Sequence, residues 1–281
     1  MKRLMTIVLA ALMVFGLAAC GSKEEANTNT DTNTETNNVL RVGMECNYAP
    51  FNWTTLEAGE HTVQINSVDL ADGYDVVMAS MIAEQMGMEL QIVKLEWDSL
   101  IPALNQGEID LIIAGMTDTP TRREEISFTT PYYESDMVII VKDGSEVQNV
   151  TDIQELAQYK VMGQQGTTYD EIIDQIEGIG ANHLDPKADY PAMIPDLTAG
   201  VADAITAELP VAVGICTANQ SLTYVTFAEG HGFDVDTSVS IGLRKGEEEF
   251  QARVQAALDT ISAETRLEMM LAATDRQPAG E

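Results

Sequence analysis

Basic residues are scarce in this chain: 15 Lys and Arg stand against 45 Asp and Glu, a formal net charge of -30 at pH 7. So acidic a surface lacks the basic patches that phosphate backbones demand, which excludes a nucleic-acid partner. The acidity serves solubility and does not by itself name a cationic ligand. The three histidines, His61, His183 and His231, lie far apart, and no spacing among them and the cysteines resembles a metal site. No metal or other cofactor is expected. Three cysteines, Cys20, Cys46 and Cys216, are too few for a disulfide framework, so Cys46 and Cys216 read as free thiols. Beyond the first residues there is no apolar run long enough to span a membrane.

What is present begins at the left end. Met1-Lys2-Arg3 followed by the apolar run Leu4 to Ala19 has the layout of a secretory signal peptide, expected over residues 1–19. Small residues Ala18 and Ala19 directly before Cys20 resemble a bacterial lipobox, in which the cysteine is lipidated and becomes the mature N-terminus. Residues 21–38 are rich in Asn, Thr and Glu and cannot bury enough apolar surface to offset their ordering entropy. The expectation is a tether over 20–38 that holds a folded domain off a membrane. From Val39 onward roughly 240 residues remain, large for one core and comfortable for two lobes.

A repeated phrase supports two lobes. Ile101-Pro102-Ala103-Leu104-Asn105-Gln106-Gly107 leads into Glu108-Ile109-Asp110-Leu111-Ile112-Ile113-Ala114, and Ile194-Pro195-Asp196-Leu197-Thr198-Ala199-Gly200 leads into Val201-Ala202-Asp203-Ala204-Ile205-Thr206-Ala207. Each copy reads as a short helix stopped by glycine and then a buried strand, at 109–114 and 202–207. Around them, Leu40–Met44, Leu90–Val93, Met137–Val141 and Lys160–Met162 read as strands, with Met137–Val141 expected to cross between lobes. Asp75–Gln85, 169–176 and the stripe Phe250, Val254, Ala257, Leu258 and Ile261 read as helices. Thr151 to Gln154 resembles a capping box before a helix through Gln158.

Ligands in open α/β sheets bind outside the carboxyl ends of strands. Two lobes therefore place Thr117 and Glu208 on opposite walls of one cleft. Arg122 follows shortly after Thr117, and a guanidinium can hold a carboxylate by two parallel hydrogen bonds. Arg123 stands beside it, and spacing alone does not choose between them. Gly115, Thr117, Thr167 and Thr168 offer N–H and hydroxyl donors, helped by the N-terminal end of the helix at 169–176. Glu208 can pair with an ammonium, Glu45 can meet a second polar group, and Tyr48, Phe51 and Trp97 supply aromatic walls. A carboxylate grip with an ammonium grip describes an α-amino acid.

From Val39 to about Ala279 the chain resembles the polar-amino-acid solute-binding proteins of ABC importers. The resemblance rests on Arg41-Val42-Gly43-Met44-Glu45 through Tyr48-Ala49-Pro50-Phe51, on Gly73-Tyr74-Asp75-Val76, on Trp97 through Leu104, on Gly107-Glu108-Ile109-Asp110, and above all on Ala114-Gly115-Met116-Thr117-Asp118-Thr119-Pro120-Thr121-Arg122 running on to Phe128-Thr129-Thr130-Pro131-Tyr132-Tyr133. It implies an α/β fold of the type II periplasmic-binding-protein kind: two similar lobes, 39–134 with 235–281 and 135–234, joined by two hinge strands around a ligand cleft. By motif position, Arg122 holds the ligand's α-carboxylate, and Gly115, Thr117 and Thr168 bracket it. Trp97 and Tyr48 sandwich the ligand, Glu45 faces the far end of its side chain, and Glu208 takes the place where family members usually carry an aspartate for the α-ammonium. Glu45 likewise replaces a common aspartate, and Gln164 and Gln165 stand near a position where some glutamine binders carry lysine. The segment from His61 to Leu70 is longer and more polar than the family pattern before Gly73.

The resemblance implies a monomeric, non-enzymatic, lipid-anchored extracytoplasmic protein. It would deliver a polar or cationic amino acid (lysine, arginine, histidine or glutamine) to an ABC permease and its ATPase. The same fold also carries enzymes of the cyclohexadienyl-dehydratase kind, where Glu45 or Glu208 would serve as acid or base, and ligand-sensing domains.

Overall fold

The computed structural model describes residues 38–278; the apolar run, Cys20 and nearly all of the Asn- and Thr-rich stretch lie outside the described residues. The chain enters as β1 (Val39–Met44), followed by β2 (Asn47–Tyr48), β3 (Asn52–Thr55), β4 (Val63–Gln64) and β5 (Leu70–Asp72). Next come α1 (Tyr74–Met86), β6 (Glu89–Lys94), α2 (Leu100–Gln106), β7 (Leu111–Ile112), α3 (Pro120–Glu125) and β8 (Ser127–Tyr133). A second run holds β9 (Met137–Lys142), β10 (Val161–Met162), α4 (Thr168–Glu171), α5 (Tyr190–Ala199), β11 (Ala204–Glu208), α6 (Leu209–Ala218) and β12 (Leu222–Thr226). The chain then returns through β13 (Val239–Leu243), α7 (Glu248–Asp259) and α8 (Ala263–Arg276).

Two mixed sheets form the frame. The first has the order β6-β1-β7-β13-β8 and the second β10-β11-β9-β12, while β2-β3-β5-β4 make a small antiparallel sheet beside the first. Strand β1 lies parallel to β6 and β7, and β13 runs antiparallel to β7 and β8. In the second sheet β10 and β11 are parallel, and β9 is antiparallel to β11 and β12. Every residue of β11 and β13 is buried, as are Met137–Val141 of β9. Continuous burial is what a strand covered on both faces requires. Residues 134–136 and 227–238 run between the sheets, and the two crossings are tied by the Thr237 hydroxyl, which donates to the Ser135 carbonyl. The two-lobed α/β architecture implied by the resemblance is the one present.

The repeated phrase occupies equivalent places. Gly107 and Gly200 both close their helices in the left-handed region, at φ 76° and 75°. Helix α5 is longer than its phrase, because Asp189 caps it by accepting from the Ala192 N–H at 2.9 Å and Pro191 occupies its first turn. Pro195 therefore lies inside the helix rather than at its start. Strand β7 is shorter than the expected 109–114, pairing with its neighbours at Leu111 and Ile112.

Other local expectations shift for identifiable reasons. The cap after Val150 belongs to Asp152, whose carboxylate accepts from the Gln154 N–H at 2.9 Å, while Glu155 reaches back to the Thr151 N–H at 3.2 Å. The cap is thus one residue further along than Thr151, the two bonds do not close a reciprocal box, and the segment they open is a 3-10 helix over Ile153–Gln158. Strand β9 lies inside the second sheet; the crossing is the segment before it. The polar stretch from His61 to Leu70 is the β4–β5 hairpin, closed by Asn66, whose side-chain oxygen accepts from the Val68 and Asp69 N–H groups at 2.9 Å. Cys46 is a buried free thiol and Cys216 a half-buried one, and burial pushes both up to about 12. None of the described helices is long and apolar enough to cross a membrane.

Candidate functional site

The cationic end of the site is built where β7 gives way to α3. Thr119 caps α3, accepting from the Arg122 N–H at 3.2 Å, and Pro120 presets the first turn. This cap turns the two arginines in different directions. Arg123 is exposed and pairs with Asp118. Arg122 is half-buried, donates to the Thr117 carbonyl at 2.8 Å, and stands 5.2 Å above the Trp97 ring. No Asp or Glu oxygen lies within 4.0 Å of its guanidinium among the described residues, as is also true of Arg253 and Arg266 outside the site, whereas Arg41, Arg123, Arg244 and Arg276 each have such a partner; its other donor contact is to the Gly166 carbonyl at 3.4 Å. A stacked guanidinium without a carboxylate is an anion receptor ready for use. Thr117 is buried beside it, and Thr168 is half-buried at the opening of α4. That helix is a single α-turn continued as 3-10 over Ile172–Gln175, so its donors are local N–H groups and not a long helix dipole.

The anionic end is Glu208, at the end of β11 and the entry to α6, with 0% exposure. Its Oε1 accepts from the Tyr48 hydroxyl at 2.9 Å and from the Tyr169 hydroxyl, and its Oε2 accepts from Ser135 at 2.5 Å. Burial raises its pKa, and the Ser135, Tyr169 and Tyr48 hydroxyls pull it only part of the way back. Tyr48 is held flat by Phe51 (5.1 Å between centroids, 6° between planes) and by Tyr190 of the other sheet's side (5.5 Å, 28°). In this arrangement Tyr48 stacks on Phe51 and Tyr190 and donates its hydroxyl to Glu208. Gly115 makes room for that ring: a Cβ there would stand 2.9 Å from Tyr48 Cε1, and its φ of 61° suits glycine. The Gly115 N–H donates to the Tyr132 hydroxyl at 2.9 Å.

Glu45, at the end of β1, is 4% exposed, and Gln164 Nε2 donates to its two oxygens at 3.0 and 3.2 Å. Burial raises its pKa to about 7, opposed by the Gln164 hydrogen bond and reinforced by the negative charges of Asp189, Glu96 and Asp98. This end of the cleft therefore favours positive charge.

The sequence-derived residues thus meet from both sheets. Contacts that join the two sides include Tyr48 to Glu208, Gln164 to Glu45, Asn47 to Asp189 at 3.2 Å, Gln165 to Asp98 at 3.0 Å, and Trp97 Nε1 and Arg122 Nη2 to the Gly166 carbonyl at 3.0 and 3.4 Å. This is a closed arrangement. Reading the sequence missed Tyr169, Tyr190 and Ser135. Tyr169 directly follows the Thr167-Thr168 pair, a position that could have marked it; Ser135 and Tyr190 carry no such local signal.

The profile of the bacterial extracellular solute-binding proteins, family 3, matches residues 40–272. The arginine-binding extracellular protein ArtP of Bacillus subtilis is 30% identical over 153 residues, 54% of this chain and 53% of that protein. A probable histidine-binding protein of Campylobacter jejuni is 29% identical over 236 residues, 83% of this chain and 85% of its own length. An amino-acid ABC transporter substrate-binding protein of Streptococcus pneumoniae, solved bound to L-arginine, superposes with a TM-score of 0.74 at 24% identity, covering 86% of this chain and 96% of that one, and so shares its fold. With a family match over nearly all of the folded region, this chain belongs to the bacterial extracellular solute-binding proteins, family 3.

Proposed function

We propose that the protein is the extracytoplasmic, lipid-anchored binding component of an ABC amino-acid importer, and that it takes a cationic or polar L-amino acid, arginine foremost. The observation that carries this is the Arg122 guanidinium, stacked on Trp97 with no carboxylate partner among the described residues, in the same cleft as the buried acids Glu208 and Glu45. The ligand's α-carboxylate takes the Arg122 end, bracketed by Thr117, Thr168 and Gly115. Its α-ammonium competes with the Tyr48 hydroxyl for Glu208. A positively charged side chain ends at Glu45, whose surroundings of Asp189, Glu96 and Asp98 repel an anion. The relatives named for arginine and histidine support this choice of ligand class.

Closure supplies the mechanism. An amino acid that touches Arg122 on one side and Glu208 on the other makes both contacts only when residues 39–134 and 235–281 meet residues 135–234. Differential contact of this kind shifts the population toward the closed form. The closed form is the one delivered to the permease and its ATPase, from a tether anchored at Cys20.

The test is a thermal shift of the domain from residue 21 onward against the twenty amino acids, ornithine and citrulline, after unfolding and refolding to strip ligand. A ligand that binds only the folded state raises the melting temperature. A rise with arginine, and a smaller one with lysine, histidine or glutamine, is expected; no rise with any amino acid sinks the proposal. Incorporation of labelled fatty acid that is lost in Cys20→Ala tests the anchor.

A further inference from the structure

Behind the cleft, two hydrogen-bonded arms run from the ligand-facing loops of the first sheet to one buried carboxylate. The first arm starts at Cys46, the residue after Glu45, which holds a left-handed backbone at φ 57° without being glycine. Its N–H donates to Asn52 Oδ1 at 2.7 Å, and Asn52 Nδ2 donates to Asp75 Oδ2 at 2.7 Å. The second arm starts at Gly115, also left-handed at φ 61°. Its N–H donates to the Tyr132 hydroxyl at 2.9 Å, and that hydroxyl donates to Asp75 Oδ1 at 2.7 Å. Asn52 and Asp75 are 0% exposed and Tyr132 is 1% exposed, so water does not replace any link.

The arms are directional. Each begins with a backbone donor and ends on an acceptor, and only a carboxylate at position 75 accepts from both at once. The loop carrying Glu45 and Tyr48 and the loop carrying Gly115, Thr117 and Arg122 are therefore held relative to each other through a group that touches neither ligand end. We infer that Asp75 is a positioning residue for ligand binding: with Asn52 and Tyr132 it sets the backbone of the Glu45 and Gly115 loops. This rests on the proposed amino-acid-binding role of those loops.

The geometry offers a swap that separates positioning from bulk stability. In Asp75→Asn, with the new amide oxygen on Tyr132, a donor meets a donor either between the amides at 75 and 52 or, if Asn52 turns over, between Asn52 Nδ2 and the Cys46 N–H, so the Cys46 arm breaks. Asn52→Asp alone sets two carboxylates against each other. In the double variant Asn52→Asp/Asp75→Asn, the carboxylate at position 52 accepts from Cys46 and from the amide at position 75, whose oxygen still accepts from Tyr132. Every donor again meets an acceptor; the link between positions 52 and 75 now runs in the opposite direction, and the links to Cys46 and Tyr132 keep theirs.

The measurement is the Kd for L-arginine by calorimetry in each variant, with amide hydrogen exchange at Cys46 and Gly115 in the ligand-free protein. Each single substitution is expected to weaken arginine at least tenfold, and the double variant to return to within about threefold of the parent, with Cys46 protection lost in Asp75→Asn and regained in the swap. Single variants that bind as the parent does, or a double variant no better than the singles, overturn the inference. If a single variant fails to fold, Tyr132→Phe decides: faster exchange at Gly115 and not at Cys46 supports the two-arm arrangement, and no change at Gly115 refutes it. Should the parent itself not bind arginine, the functional proposal fails, while the exchange pattern still tests the arms.

Discussion

The two copies of the helix–glycine–strand phrase lead to opposite charges that are held in different ways. After β7 the chain presents Arg122, half-buried, resting on Trp97 and without a carboxylate within 4.0 Å among the described residues. After β11 it presents Glu208, fully buried and already accepting from Tyr48, Tyr169 and Ser135. The cation rests on two neutral carbonyls, those of Thr117 and Gly166, at a half-buried position, whereas the anion is fully buried and ringed by three hydroxyls. A ligand's carboxylate therefore gains an ion pair at Arg122 that no side chain supplies among the described residues, while its ammonium must displace hydroxyls packed around Glu208. Affinity should be concentrated at the arginine end, and selectivity for charge at the acidic end.

The largest effect expected from this contrast is at Arg122. Arg122→Ala leaves a ligand carboxylate desolvated and unpaired, which costs about 2–5 kcal/mol, or roughly 30-fold and more in Kd. Arg123→Ala removes an exposed pair with Asp118 and should leave Kd within about twofold. Calorimetry with L-arginine checks both, and equal effects at the two positions would end the assignment of Arg122 as the receptor.

At Glu208 affinity and stability should move in opposite directions. Glu208→Gln removes a charge whose burial is unfavourable, so the ligand-free protein should melt higher. The same change weakens the ammonium contact by about 1.5–3 kcal/mol, the range for a hydrogen bond to a charged group. A variant that binds arginine unchanged would mean that the ammonium is held elsewhere.

A third comparison is between pH values. Burial raises Glu45 to about 7 and Asp75 to about 7, from ordinary values of 4.5 and 3.8. For a raised acid, the contribution to stability is complete below the unfolded value and is lost as pH climbs through the folded one. The ligand-free protein should therefore become less stable between about pH 4 and pH 7. Arginine binding needs Glu45 ionised and should tighten over the same climb, with proton release on binding below pH 7. Calorimetry in two buffers of different ionisation enthalpy measures that release. Glu45→Gln should flatten the pH profile for arginine and leave glutamine nearly unaffected.

How far the sequence revealed these features depends on whether a residue's role is local. The helix stops at Gly107 and Gly200 follow from neighbours within a few positions and are where the pattern put them, and the buried strands lie inside or within two residues of their expected bounds. The choice between Arg122 and Arg123 was not legible, because it is made by the position of Trp97 and Asp118 around a one-and-a-half-turn helix. Ser135 and Tyr190 were invisible because their partners, Glu208 for the one and the Tyr48 ring for the other, are brought to them by sheet topology. The Asn52–Asp75–Tyr132 junction joins residues 23 and 57 positions apart, and each of them reads alone as an ordinary core or cap residue.

The smallest effect sharpens the contrast most finely. Ser135 lies in a crossing segment between the sheets, and its hydroxyl is the one donor on Glu208 Oε2 among the described residues. Ser135→Ala frees that oxygen for a ligand ammonium, yet it also removes a donor that favours the ionised carboxylate. The two consequences oppose each other, so Kd at pH 8 should change by less than about 1.5 kcal/mol. At lower pH the second consequence wins, because a carboxylate with fewer donors protonates sooner. The pH at which arginine affinity falls by half should therefore move upward relative to the parent, while Tyr169→Phe, which strips a donor from the other oxygen without touching the crossing segment, should move it in the same direction. If Ser135→Ala leaves the profile in place and Tyr169→Phe shifts it, the Ser135 contact belongs to the hinge's geometry rather than to the charge of Glu208, and the caged-anion half of the comparison rests on the tyrosines alone.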